Sequence, residues 1–108
     1  MEELTDELLR EITDRLVAAL KPSRIILFGS YAYGRPNAHS DVDIFVVVPD
    51  QDASTYELEV RAYRALAGMG VPKDIRVQTE SQYTARAEEL VSSLERVVRD
   101  KGRVLYAA

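Results

Sequence analysis

Runs of apolar positions predict two strands in the first half of the chain. The segment 24–28 is almost entirely apolar and follows Pro22, which favours a buried strand. The segment 41–48 predicts a second strand with two different faces. One face carries Val42, Ile44, Val46 and Val48, and the other carries Asp41, Asp43, Phe45 and Val47. Because successive strand side chains alternate faces, both acids point the same way, at the mouth of an otherwise buried strand.

Apolar residues spaced four apart predict helices around these strands. Leu8, Ile12, Leu16 and Leu20 follow an acidic first turn and predict a helix over about 5–20. The segment 54–57, Ser-Thr-Tyr-Glu, has the spacing of a capping box and opens a second helix with an apolar face of Leu58, Ala62, Ala65, Leu66 and Met69. A capping signal at 92–95 predicts a last helix that ends at Gly102, followed by a short edge strand over 104–106.

A third strand is predicted to begin near Asp74, after the second helix. A strand, a crossover helix and another strand favour a right-handed parallel unit. That unit would bring Asp74 to the same sheet edge as Asp41 and Asp43. We therefore expect an α/β (α+β) fold with a small mixed sheet, in the order 1-2-3 plus a short C-terminal edge strand, flanked by helices.

A glycine-serine turn precedes the acids and adds a second chemical signal. After Phe28, Gly29 and Ser30 would turn the strand into a short helical piece, whose free N–H groups and hydroxyl suit a phosphate. Asp41 and Asp43 have Cα atoms roughly 6–7 Å apart, close enough to share one Mg²⁺ or a pair of ions. Asp-x-Asp alone is common at polar strand ends, but the combination indicates phosphate and metal sites that face each other.

Residues 29–34, Gly-Ser-Tyr-Ala-Tyr-Gly, and 40–44, Ser-Asp-Val-Asp-Ile, resemble the DNA polymerase β-like nucleotidyltransferases, in particular the minimal nucleotidyltransferases. The resemblance implies a nucleotidyltransferase fold over a single domain, 1–108. It also implies that Gly29, Ser30 and Ser40 lie at the nucleotide and that the catalytic, metal-binding acids are Asp41, Asp43 and Asp74. The implied cofactors are Mg²⁺ or Mn²⁺, with ATP as the nucleotide donor.

The chain departs from the family pattern at one position. Family members often have arginine where this chain has Tyr33, and Arg35 stands close enough in sequence to substitute for it. The spacing of Gly29 and Gly34 also matches a Walker loop, but Arg35-Pro36 replace the required Lys and Ser/Thr, so a P-loop ATPase is excluded. His39 precedes the acids, where it either assists a proton transfer or is an exposed loop residue.

Composition and charge narrow the classes of function. The 108 residues carry a formal net charge of −4, which argues against direct nucleic-acid binding, and a basic segment over 96–103 is more simply a solvated helix face. The chain has no cysteine, which excludes disulfides and thiolate metal sites. An acidic start and the lack of any apolar run of about 20 residues lead us to expect a cytoplasmic protein without a membrane span.

The resemblance implies a specific partner. Minimal nucleotidyltransferases resemble antitoxins whose partner is a helical HEPN-type toxin, and several transfer AMP to a hydroxyl of that toxin. We therefore expect a protein nucleotidyltransferase of this type. Two alternatives remain: a catalytically inert antitoxin that neutralises its partner by binding, and a transferase for small molecules of the aminoglycoside type. Related small-molecule enzymes generally carry a further helical domain.

Overall fold

The computed structural model describes residues 4–34, 36, 41–90 and 93–108. These residues form five helices and four strands. In chain order they are α1 (Asp6–Leu20), β1 (Arg24–Phe28), α2 (Ser30–Tyr33), β2 (Val42–Val48), α3 (Thr55–Ala65), β3 (Lys73–Thr79), α4 (Glu80–Glu89), α5 (Leu94–Lys101) and β4 (Arg103–Ala107). The predicted α+β class with a small mixed sheet is confirmed.

The sheet has the order β3-β2-β1-β4. Strands β1 and β2 are antiparallel, as are β1 and β4, whereas β2 and β3 are parallel and are joined through α3. This is the predicted order 1-2-3 with the C-terminal strand at the edge. The end of β1 and the starts of β2 and β3 therefore meet at one end of the sheet.

Each face of the sheet is covered by a different pair of helices. One core packs α1 and α3 against the β2 side chains Val42, Ile44, Val46 and Val48, all of them fully buried. The opposite core is smaller and consists of Ile26, Phe28, Phe45, Val47, Tyr83 and Val98, which join α4 and α5 to the sheet. Burial of these aliphatic and aromatic side chains supplies the main stabilising free energy. The predicted division of β2 into two faces is confirmed, and Asp43 belongs to the face of the smaller core.

The helix starts are capped as the polar residues before them predict, with one correction. The Ser54 hydroxyl accepts a hydrogen bond from the Glu57 N–H at the start of α3. The last helix begins one residue later than the predicted signal implied, because Ser93 is its N-cap and accepts from the Arg96 N–H. Ser92 lies outside the described residues. Glu95 is buried and does not serve as the partner of a capping box.

Helix α4 was not predicted from the sequence. It begins with a capping box, in which Thr79 accepts from the Gln82 N–H and Gln82 accepts from the Thr79 N–H. Its buried residues are only Tyr83 and Ala87, so its apolar periodicity is weak. The capping box was the signal that could have identified it.

A buried carboxylate ties α4 and α5 to β3. Glu95 Oε2 accepts hydrogen bonds from Gln78 Nε2 at 2.6 Å and from Arg86 Nε at 3.0 Å. Although burial by itself raises the pKa of Glu95, a hydrogen bond from its own backbone N–H, the two side-chain hydrogen bonds and the nearby Arg86 charge hold its pKa below the usual value. The helices on this face are thus fixed by a charged network as well as by apolar contact.

None of the helices in the described ranges has the length and apolar character required to span a bilayer.

Candidate active site

Asp43 and Asp74 are direct neighbours across the parallel pair of β2 and β3. Residues paired in this way present their side chains on the same face of the sheet. That face is the one that carries Phe45 and Val47 further along β2. The topology predicted from the sequence therefore brings the third acid beside the second.

Asp41 immediately precedes β2 and is exposed. Its negative charge acts on Asp43, as does that of Asp74. The three acids predicted from the sequence are therefore grouped at one end of the sheet. Ser40, His39 and Arg35 lie outside the described residues.

Gly29 lies against the Asp43 carboxylate. It has φ +74° and ψ −157°, a conformation that is essentially restricted to glycine. A Cβ atom at Gly29 would also overlap Asp43 Oδ2. Since Phe28 pairs with Asp43 across β1 and β2, the end of β1 brings this turn directly to the acid. Two independent constraints, backbone conformation and space, thus require glycine here.

The turn continues into the short helix α2. Its first residue is Ser30, and the Gly29 carbonyl accepts hydrogen bonds from the N–H groups of Ala32 and Tyr33. Gly34 closes the helix, where a Cβ atom would come within 2.8 Å of the Ser30 Cα. The predicted short helical piece after Gly29 is confirmed. Tyr33, which replaces the arginine common in the family, is 45% exposed at the end of α2.

Sequence reasoning overlooked one charged residue at this end of the sheet. Arg76 pairs with Phe45 in the parallel register, two residues beyond the Asp43–Asp74 pair. Its Nε atom lies 3.9 Å from Asp74 Oδ2. The i, i+2 spacing of Asp74 and Arg76 within a predicted strand was the available signal, because it places the two on the same face.

The electrostatics of Asp43 reflect this crowding. Burial raises the pKa of the Asp43 carboxyl, the neighbouring charges of Asp74 and Asp41 raise it further, and the Arg76 guanidinium opposes the increase. A bound cation would favour the ionised carboxylate and offset the repulsion. The donor chemistry fits a hard divalent ion such as Mg²⁺ or Mn²⁺, which prefers carboxylate oxygens.

Within the described ranges, no three His, Cys, Asp or Glu side chains lie close enough together to form a ready metal-binding group. The aspartates share an end of the sheet, but their carboxylates are not gathered around one point. The Asp74 carboxylate forms an ion pair with Arg76 on its own strand, at an Nε–Oδ2 distance of 3.9 Å. The oxygen donors of the three acids suit a divalent ion in their chemistry, and the acids lie at one end of the sheet without forming a preassembled site in the described residues.

Two solved structures share this fold over most of the chain. A crystal structure described as a toxin–antitoxin with AMP-PNP is 25% identical to this chain, with a TM-score of 0.55 over 93% of this chain and 73% of the other. A mutant toxin–antitoxin MntA-HpeT, in which two aspartates are replaced by glutamates, is 22% identical, with a TM-score of 0.54 and the same coverage. This second likeness shows the fold alone. No curated protein matches the chain significantly.

The sequence itself matches a family model described as the nucleotidyltransferase domain, over residues 7–102. The match includes the Gly29-Ser30 turn, Asp41, Asp43 and Asp74. It confirms the resemblance drawn from the turn and the two acids. The chain therefore belongs to the nucleotidyltransferase domain family.

Proposed function

We propose that this chain transfers a nucleoside monophosphate, AMP from ATP, to a hydroxyl group of a partner protein, and that the partner is a helical toxin of the HEPN type. The observation that carries the proposal is the Asp43–Asp74 pair beside the Gly29 turn in a member of the nucleotidyltransferase family. The likeness to a toxin–antitoxin crystallised with AMP-PNP supports an adenine nucleotide and a toxin partner.

Asp41, Asp43 and Asp74 would hold the metal ion. A divalent cation bound there supplies positive charge against the triphosphate and the charge that develops during transfer. Gly29 and Ser30 would orient the β- and γ-phosphates through backbone N–H groups and the Ser30 hydroxyl. Because Gly29 has no side chain, the Asp43 carboxylate can lie directly beside the turn.

On this proposal, the strand order also suggests the direction of the reaction. The Gly29 turn ends β1, Asp43 lies on the central β2, and Asp74 lies on the edge strand β3. With the departing pyrophosphate on the β1 side, in-line displacement brings the acceptor hydroxyl from the β3 side. The bond from the acceptor oxygen to the α-phosphorus forms while the bond to the bridging oxygen breaks. The hydroxyl proton is released to solvent and pyrophosphate leaves.

A second candidate function is a binding module that neutralises its partner without transfer. The observation in its favour is that the described acids are not gathered into a metal-binding group and that Asp74 is paired with Arg76. The presence of Tyr33 in place of the arginine common in the family also favours a binding module. Both candidates require a complex with the partner, so complex formation alone does not separate them.

Mass spectrometry of the partner separates the two functions. The chain is co-expressed in turn with the product of each neighbouring gene, and any pair that forms is purified by size exclusion. We expect a stable complex, and a partner that gains the mass of one nucleoside monophosphate when ATP and Mg²⁺ are added. An unmodified partner in an intact complex would support the binding module. A chain that elutes alone and modifies a small molecule would contradict both.

A further inference from the structure

Among the described residues, Arg76 is the cation that forms an ion pair with Asp74, and its charge also acts on Asp43. Its side chain is 54% exposed, and its ion pair is with Asp74, itself 45% exposed, at an Nε–Oδ2 distance of 3.9 Å. Among the described residues, no hydrogen bond from the guanidinium is found. The planar guanidinium group therefore keeps its donors available for carboxylates or for solvent.

The position of Arg76 makes its charge act on more than one acid. In the strand register it lies two residues beyond the Asp43–Asp74 pair and therefore on the same face. Its charge opposes the effect that Asp41 and Asp74 exert on Asp43. An arginine so placed offsets repulsion among crowded carboxylates when no metal ion is bound, and it repels a divalent ion that approaches them.

We propose that Arg76 is the counter-ion of the acids. In the metal-free chain it binds the Asp74 carboxylate along β3, and a metal ion must compete with Arg76 for that carboxylate. Arg76 thereby sets the metal concentration at which the three aspartates gather. It is a positioning residue that acts through Asp74. The inference rests on the metal site in the proposed function and deepens it.

The test is direct binding of Mn²⁺, measured by calorimetry or by the electron paramagnetic resonance of the free ion, with and without AMP-PNP. Replacement of Arg76 by Ala should tighten Mn²⁺ binding by about 3- to 10-fold at low salt, because the Asp74 carboxylate loses its competing counter-ion and one repelling charge is removed. The gain should shrink in 0.5 M KCl, where charges are screened. Arg76→Lys keeps the charge and should bind Mn²⁺ within about twofold of the wild type. Arg61→Ala, an exposed arginine of α3, is the control and should change nothing.

A second variant pair tests the role of Asp74. If Arg76 acts by holding this carboxylate, the gain from Arg76→Ala should fall by more than half in an Asp74→Asn background. A gain of full size there would overturn the positioning role. Unchanged or weaker Mn²⁺ binding by Arg76→Ala would overturn the whole inference, as would a chain in which neither wild type nor variant binds Mn²⁺.

The binding measurement is independent of nucleotidyl transfer. An intact shift in Mn²⁺ affinity without any transfer to the partner would contradict the proposed enzyme and leave the counter-ion role in place. If the wild type transfers the nucleotide but Arg76→Ala does not change the Mn²⁺ affinity, the proposed enzyme is supported and the counter-ion role of Arg76 is contradicted.

Discussion

Asp43 on β2 is the direct register partner of Asp74 on β3, and the Asp43 carboxylate also lies against Gly29 at the end of β1. The Asp43 side chain on β2 is thus adjacent to residues of both β1 and β3, at the end of the sheet where the three acids lie. Its pKa is raised by burial and by the charges of Asp74 and Asp41. The negative charges of the three acids would attract a metal ion, but without a metal ion their mutual repulsion lowers the stability of the folded chain.

We therefore expect the substitutions Asp41→Asn and Asp43→Asn to leave stability unchanged or to increase it. Each removes a repelling charge and changes little volume. Thermal unfolding in EDTA at pH 7 should give a Tm no lower than that of the wild type. Added Mg²⁺ should raise the Tm of the wild type more than that of either variant, since only the wild type keeps all three ligands. A Tm several degrees lower in EDTA would contradict this reading of the acids.

The turn at Gly29 gives a prediction with an internal control. Gly29→Ala places a Cβ atom at positive φ and against Asp43, and we expect a loss of about 2–4 kcal/mol. Gly68 also has positive φ, +84°, but has no atom within 4 Å of the added Cβ. Gly68→Ala should cost only about 1 kcal/mol, the part that is due to backbone strain.

Chemical denaturation of the two variants measures the difference. The double variant Gly29→Ala/Asp43→Ala should recover part of the stability lost in Gly29→Ala, because the overlapping carboxylate is gone. Equal losses at Gly29 and Gly68, with no recovery in the double variant, would show that Asp43 does not constrain the turn.

The buried Glu95 network predicts a pH dependence of stability. Burial raises the pKa of Glu95, but its hydrogen bonds and the Arg86 charge outweigh burial and hold the pKa below its ordinary value. The contribution of Glu95 to stability is therefore present above the unfolded-state pKa and is lost as the pH falls through the folded-state pKa. Glu95→Gln should destabilise the fold by about 1–3 kcal/mol near pH 7, and the difference from the wild type should shrink from about pH 5 downward. Urea unfolding over pH 3–8 tests this. Glu88→Gln, an exposed position of α4, is the control and should track the wild type throughout.

The sequence predicted the sheet well because β2 carries a clear alternation. Val42 and Ile44 against Asp43 and Phe45 define both faces of the central strand, and the crossover to β3 then places Asp74. Helix α4 escaped prediction because its buried side consists of Tyr83 and Ala87 alone. A helix with so little apolar periodicity gains its stability from tertiary contacts that local patterns do not encode.

Side-chain relationships at the site were less predictable than strand positions. Besides the positive φ of Gly29, the carboxylate of Asp43, fourteen residues away in sequence, excludes a side chain at position 29, and this contact becomes visible only in the folded chain. The same holds for Arg76, because its contact with Asp74 depends on side-chain rotamers. Strand order follows from patterns of apolar residues, whereas charge pairing depends on distances that the pattern does not specify.

The most direct test of the proposed function is the transfer of label from α-labelled ATP to the co-purified partner in the presence of Mg²⁺. The wild type should label the partner, and γ-labelled ATP should not, because pyrophosphate leaves. Asp43→Asn and Asp74→Ala should each reduce the rate by about 100-fold or more, since each removes a ligand of the ion that stabilises developing charge. Asp52→Ala, an exposed acid outside the site, should retain the full rate. Absence of labelling by the wild type, or undiminished labelling by Asp43→Asn, would contradict the account.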